Sequence, residues 1–146
     1  MSVPKAKRGE GRLEVLTKAL ELADYTRQVC KSEKTFPKRD RWLLTQRIVS
    51  ESLEIAMHIR KGNTIRVERE SDFLERRQHQ QEAMESCEWL LTLVDMAYRD
   101  PDIGVDGKRA EYWTGLVLEV ERLISGWRKA DRDAWRKKQV STPKGG

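Results

Sequence analysis

Two glutamate–histidine pairs, Glu54 with His58 and Glu75 with His79, contain both histidines of the chain. Carboxylate and imidazole are the donors of a di-iron centre. Such a centre takes a Glu-x-x-His spacing on two helices of a bundle, plus further inward glutamates. Here both pairs are four apart, not three. His79 stands in an octet, Glu75-Arg76-Arg77-Gln78-His79-Gln80-Gln81-Glu82, that is polar all round, so its imidazole is expected to face solvent. Glu54 and His58 flank Ile55 and Ile59 and lie beside that apolar stripe. The pairs therefore read as two surface i,i+4 contacts worth about 0.2–0.5 kcal/mol each, with neither metal nor cofactor expected. Nucleophilic chemistry finds no support either: there is no GxSxG, no cysteine with a partnered histidine and no glycine-rich phosphate loop. Cys87 lies among Met84, Leu90 and Leu91 at helical spacing, as a buried thiol does, and Cys30 reads as packing at a helix end. The residues point away from an enzyme.

Charge is the more informative chemistry. The start of the second amphipathic segment carries Lys38, Arg39, Arg41 and Arg47 against Asp40, and its end carries Arg60 and Lys61. The end of the last segment carries Arg128, Lys129, Arg132, Arg136, Lys137 and Lys138 against Asp131 and Asp133. The start of the third is the acidic counterpart, from Glu68 and Glu70 through Asp72 and Glu75 to Glu88. Two readings stand side by side. Lysines and arginines grouped this way can neutralise backbone phosphates of a nucleic acid as point charges or forks, without reading bases. They can equally be solvated faces laced by weak surface ion pairs.

The tripeptide Trp-Arg-Lys occurs twice, at Trp127-Arg128-Lys129 and Trp135-Arg136-Lys137. Eight residues of helix leave the two sets about 80° apart. Trp127 extends a core stripe. Trp135 lies past it, where a tryptophan beside arginines either stacks a base or anchors a partner, or lies along a neighbouring helix and closes the bundle end. Trp42 falls about 200° from Leu44 on its helix, nearly opposite the main stripe, which suggests a subunit interface. Gly115 and Gly126 inside the last helix either admit a close neighbour or simply weaken it by about 1 kcal/mol each.

The elements that must position these groups follow from periodicity. Residues 1–11, with Pro4, Lys5, Lys7 and Arg8, read as a mobile basic arm. Leu13, Leu16, Leu20 and Ala23, continued by Val29 and Cys30, give an amphipathic helix over 12–31. Pro37 suits a first helical position, Asp40 the first turn, and Phe36 a hydrophobic staple. Leu44, Ile48, Ser52, Ile55 and Ile59 then define a helix over 37–61, ended by Gly62-Asn63. The short alternation Thr64–Glu70 reads as an extended connection. Ser71-Asp72 caps a helix over 71–99 with Ala83, Cys87, Leu90, Leu91, Val94 and Tyr98 as its stripe. After Asp100-Pro101 a turn leads to a helix over 107–138, its stripe Trp113, Leu116, Val120, Leu123, Trp127 and Ala134, widened by Val117 and Ile124. Residues 139–146 read as a disordered tail. Four such helices with short connections imply an all-α, antiparallel up-down four-helix bundle over 12–138.

Composition agrees and excludes other classes. The chain has 146 residues, 38% apolar and 36% charged, enough for one domain. Its 29 Lys+Arg and 24 Asp+Glu give a net charge of +5 and a pI near 9.3. No apolar run approaches the ~18 residues of a membrane span. No secretory signal is expected, since Met1–Arg12 is basic and polar. Two distant cysteines make no disulfide framework, so a cytoplasmic setting is expected.

The segment Thr35-Phe36-Pro37-Lys38-Arg39-Asp40-Arg41-Trp42-Leu43-Leu44-Thr45-Gln46-Arg47-Ile48 resembles the start of helix two in the Avd-like four-helix-bundle family. These are accessory variability proteins of diversity-generating retroelements, related to bundles encoded within bacterial ribosomal RNA insertions. The four-helix layout over 12–138 is similar as well. The resemblance implies a small basic bundle that assembles into a ring, commonly a homopentamer. It further implies binding of a reverse transcriptase and of RNA or DNA during mutagenic retrohoming. No catalytic residue is implied, because polymerase chemistry belongs to the partner. The phosphate contacts expected on this reading are Lys38, Arg39, Arg41, Arg47, Arg60 and Lys61, together with Arg128, Lys129, Arg132, Arg136 and Lys137. Trp42 and Trp135 are the expected partner contacts. The alternative is a structural, oligomeric interaction bundle that binds no nucleic acid.

Overall fold

A computed structural model describes residues 10–141. Four long helices account for nearly all of them: α1 (Glu10–Lys31), α2 (Gln46–Thr64), α3 (Glu70–Arg99) and α4 (Gly107–Ser141). No strand occurs among the described residues. The secondary structure of the described residues is helical throughout, as the periodicity predicts. Each helix packs on its neighbours in sequence, and α1 also packs on α4. No helix among the described residues is long and apolar enough to cross a membrane.

Helix boundaries differ from expectation in three places. Helix α1 already includes Glu10 and Gly11, so the expected arm falls within 1–9, outside the described residues. Residues 139–141, expected in the tail, continue α4 to Ser141; 142–146 lie outside the described residues. The third difference is the start of the second helix. Lys38–Asp40 form a 3₁₀ turn and Arg41–Thr45 a π-helical turn before regular α-helix begins at Gln46. Pro37 has no N–H to donate but its carbonyl accepts from the Asp40 amide at 3.0 Å, closing the tight first turn. The wider π turn then leaves Trp42 and Leu43 outside while Leu44 packs against the core.

The apolar seam is built from Val15, Ala19, Leu22 and Val29 of α1, Ile48, Ile55 and Ile59 of α2, Ala83, Cys87, Leu90 and Val94 of α3, and Trp113, Val117, Val120 and Ile124 of α4. On α2 the predicted stripe is the buried one, Ser52 included. On α1 the expected Ala23 and Val29 are buried and Cys30 packs against the core, whereas nearer its start the stripe falls one residue earlier than expected, about 100° round the helix. Leu20 is half-exposed and Leu16 only flanks the core, while Val15, Ala19 and Leu22 are fully buried. The cause is a polar contact inside the seam: the Trp113 indole N–H donates to the Thr26 hydroxyl at 3.0 Å, with both side chains buried. Thr26 must therefore face inward, and Leu22 and Val15 come with it. On α3, Leu93 and Ala97 take places expected for Leu91 and Tyr98; on α4, Leu116 and Leu123 flank the core and Ala134 is exposed.

Phe36 is buried, edge-on to Trp113 with ring centroids 6.5 Å apart. It thus anchors the α1–α2 connection in the core. The α3–α4 connection closes over it. The Gly104 amide donates to the Thr35 carbonyl at 2.7 Å, and a Cβ on Gly104 would stand 2.4 Å from the Lys34 carbonyl oxygen. Only glycine permits that approach. Asp106 then caps α4, accepting from the Arg109 amide at 2.8 Å.

Candidate nucleic-acid interface

The octet of α3 that reads as polar all round is a polar seam between α3 and α4. Arg76 is buried. Its Nε donates to the Gly62 carbonyl at 3.1 Å, one terminal nitrogen donates to Asp131 Oδ1 at 3.0 Å and the other to the Ile65 carbonyl. Gln80, also buried, donates its amide to Asp131 Oδ2 at 2.9 Å. One guanidinium thus ties the end of α2, the α2–α3 connection and the end of α4 to the start of α3. Buried charge is tolerated because each of the three guanidinium nitrogens has an acceptor, one of them a carboxylate. Gly62 lets α2 approach its neighbours closely here, since a Cβ there would stand 3.1 Å from the Trp127 ring and 3.3 Å from the His79 Cβ.

The residue after this hub, Arg77, points into a different setting. Helix α4 brings Arg128 and Arg132, one turn apart, toward it. Burial pushes the Arg128 guanidinium below its ordinary value, and the Arg77 and Arg132 charges add to that push. One terminal nitrogen of Arg77 and the Nε atoms of Arg128 and Arg132 have no hydrogen-bond partner among the described residues. Among the described residues, the one carboxylate within ion-pair reach of Arg132 is Asp133, at 3.9 Å and largely exposed. Asp131, the nearest acidic residue in sequence, has both oxygens committed to Arg76 and Gln80. Three guanidiniums are therefore grouped with little carboxylate charge among the described residues to offset them, and their summed field can favour a polyanion.

Beside the cluster two aromatic rings lie between two cations. Phe73 stacks on Trp135 with centroids 5.4 Å apart and planes tilted 10°. The Arg77 guanidinium lies 5.9 Å from the Phe73 centroid, and the Lys138 ammonium 5.7 Å from that of Trp135. Lys138 also donates to the Glu68 carbonyl at 3.1 Å. Trp135 thus packs within the chain and closes the end of the bundle.

The predicted cations fall into two groups separated by the length of α2, about 28 Å for 19 residues. Lys129, Arg136 and Lys137 are exposed on the same end of α4 as the arginine cluster, and Arg60 and Lys61 are exposed on the last turns of α2 nearby. None of these five has an ion-pair partner among the described residues. At the other end Lys38 reaches Glu33 at 3.5 Å and Arg39 reaches Asp102 at 3.4 Å. These pairs are largely exposed and hold their cations weakly. Arg47 is exposed; the side chain of Arg41 lies outside the described residues. Trp42 is 76% exposed and Leu43 beside it 80%.

Sequence reasoning missed Arg76 and Arg77. The octet was the available signal, because a polar helix segment ahead of an apolar stripe needs a polar partner. It also misplaced His79. No Glu75–His79 contact forms among the described residues. His79 turns toward α2, its ring 5.4 Å from that of His58 and its side chain 20% exposed.

Compared with protein-family models, with curated proteins and with solved structures, the chain has no match in any of the three.

Proposed function

We propose that this chain is a non-enzymatic accessory bundle that binds RNA or DNA through the cationic end formed by α3 and α4. On that reading it serves a reverse transcriptase of the diversity-generating retroelement kind. The observation that carries the nucleic-acid part is the grouping of Arg77, Arg128 and Arg132, whose one ion pair among the described residues is the long, exposed contact of Arg132 with Asp133 at 3.9 Å. The summed positive field of the three guanidiniums favours a phosphate, and the exposed Lys129, Arg136 and Lys137 extend that field along the helix. The polymerase part rests on the likeness of the segment from Thr35 to Ile48 to the Avd-like family. An antiparallel up-down order suits the contacts of early α3 with late α4 and of late α1 with early α4. A ring of identical subunits in the cytoplasm, commonly a pentamer, completes the reading.

Titration of structured RNA at increasing salt tests it. Binding should weaken steeply, with log affinity falling linearly against log salt. Replacing Arg77, Arg128 and Arg132 by Gln should flatten that slope by about two to three charges while the helical signal persists. A flat salt dependence, or unchanged binding by the triple variant, removes this interface.

A structural interaction bundle is the second reading, favoured by Trp42 and Leu43. They are large, adjacent and almost wholly exposed. Within the first reading the same pair serves the subunit contact of the ring. Light scattering of the Trp42→Ser, Leu43→Ser variant separates the roles: loss of mass with RNA binding retained per subunit places the pair in assembly alone.

A further inference from the structure

Both histidines of the chain meet at one point between α2 and α3. His58 Nδ1 and His79 Nδ1 are 3.2 Å apart. Glu82 Oε2 stands 3.1 Å from the first and 3.9 Å from the second. On the far side of the His58 ring, Nε2 lies 3.3 Å from Glu54 Oε2. All four side chains are partly buried.

The hydrogen-bond inventory leaves this arrangement one proton short. If His58 Nε2–H donates to Glu54, the neutral ring presents a bare lone pair at Nδ1. That lone pair then faces a carboxylate oxygen, which is also an acceptor. His79 can supply only one Nδ1–H between them. A cation at the centre resolves the conflict. An ion raised above the triangle of the three donor atoms, with edges of 3.2, 3.1 and 3.9 Å, lies about 2.1 Å from each of them in a distorted tetrahedral site, close to the Zn–N and Zn–O bond lengths. Two imidazole nitrogens on one tetrahedral ion stand about 3.3 Å apart, against the 3.2 Å found here. Glu54 behind His58 is the outer carboxylate that orients a metal-bound imidazole and sets its tautomer.

We propose that His58, His79 and Glu82 bind one divalent transition-metal ion, with Zn²⁺ the best fit to two nitrogens and one oxygen, and that Glu54 positions His58 for it. Three protein ligands leave the fourth position to water. The site opens on a groove of about 620 Å³ bordered by Glu51, Glu85, Ser86 and Trp89. The ion ties α2 to α3, with His79 and Glu82 lying in sequence between Arg76 and the buried Ala83. The inference is independent of the nucleic-acid reading.

The test uses the full chain stripped of metal with a chelator. Zn²⁺ is titrated by calorimetry and Co²⁺ by visible absorption. One ion per chain and the intense d–d band of tetrahedral Co²⁺ are expected, with a rise in melting temperature. His79→Asn and Glu82→Gln should each lower Zn²⁺ affinity at least tenfold, and Glu54→Gln about tenfold, while the far-ultraviolet spectrum stays helical. In the unaltered chain, the ¹⁵N signals of His58 and His79 Nδ1 should shift together on adding one equivalent of Zn²⁺. This readout needs no variant to fold. Three outcomes overturn the proposal: no one-to-one binding, binding unaffected by either ligand variant, or a His58 ring that stays doubly protonated in excess Zn²⁺. In the last case a proton bridges the two glutamates in the ion's place.

Discussion

Arg76 and Asp131 meet at 3.0 Å across 55 positions of sequence, with side chains only 8% and 15% exposed. The pair sits where four segments converge, and Gln80 holds the second carboxylate oxygen. A buried pair adds little net stability over a well-packed apolar pair, but breaking it leaves a charge without a partner.

Arg76→Ala should therefore destabilise the fold by about 3–5 kcal/mol. Asp131 would lose its cation while the Gly62 and Ile65 carbonyls lose their donor. Arg76→Met, which keeps the volume of the stem, should cost less than Arg76→Ala. Urea denaturation followed by circular dichroism checks both. Equal midpoints for wild type and Arg76→Ala would show that the hub carries no stability.

The second buried polar contact gives an independent prediction. The Trp113 indole N–H has the Thr26 hydroxyl as its acceptor, and both are fully buried. Thr26→Val keeps the shape and removes the acceptor, so it should cost about 1–3 kcal/mol. Thr26→Ser retains the bond and should lose less. The same denaturation series ranks them.

How much of this was legible in the sequence depends on what set each helix's orientation. The α2 stripe was readable because Ile48, Ile55 and Ile59 recur in step and nothing polar competes with them. The α1 stripe was readable only in its second half, where Ala23 and Val29 are buried as expected; that Val15 and Ala19 face inward ahead of Leu16 and Leu20 accords with a hydrogen bond between Thr26 and a residue 87 positions away. The π turn at Arg41–Thr45 was invisible for a related reason. One additional residue in a turn changes no hydrophobic spacing beyond it. At the cationic end, the run of basic residues on α4 was visible, but its partner Arg77 was hidden in an octet that offers no apolar phase. The two histidines were assigned to their own helices by spacing alone, whereas the contact that joins them is between helices.

Glycines separate tight places from open ones. Gly104→Ala would place its Cβ 2.4 Å from a backbone oxygen, so the two connections must part, at a cost of about 1–3 kcal/mol. Gly115 and Gly126 have nothing within 4 Å of the site a Cβ would take, among the described residues. Each Gly→Ala change in α4 should stabilise the chain by about 1 kcal/mol. If either lies against a second subunit, the variant should also lower the assembled mass by light scattering.

Carboxylates on the α3–α4 face set a pH dependence. Burial raises Glu121 above its ordinary value, and the Glu88 carboxylate beside it raises it further. Burial does the same to Glu51, assisted by Glu54. A carboxyl raised in the fold binds its proton more tightly there than in the unfolded chain. Its stabilising contribution is full below the unfolded value and is lost as pH rises through the folded one. Asp72 and Glu119 are lowered, by backbone amides and by Arg122 respectively, and act in the opposite sense at lower pH. Glu121→Gln should thus flatten the fall in stability as pH rises from the ordinary glutamate value toward neutrality. At pH 7 it should be at least as stable as wild type. Melting temperatures across that range check it.

The crowding of Arg77, Arg128 and Arg132 makes a prediction about small anions that needs no nucleic acid. Guanidiniums that repel one another in the fold cost stability, and an anion that seats among them returns it. Inorganic phosphate should raise the melting temperature relative to chloride at equal ionic strength. At tenfold its dissociation constant the linkage amounts to about 1.4 kcal/mol, or about 4–5 °C for a chain of this size. Arg128→Gln should melt no lower than wild type in chloride, because it relieves the repulsion, yet it should lose the response to phosphate. A phosphate response that survives in Arg128→Gln would place the anion elsewhere, most simply on the exposed lysines of α4.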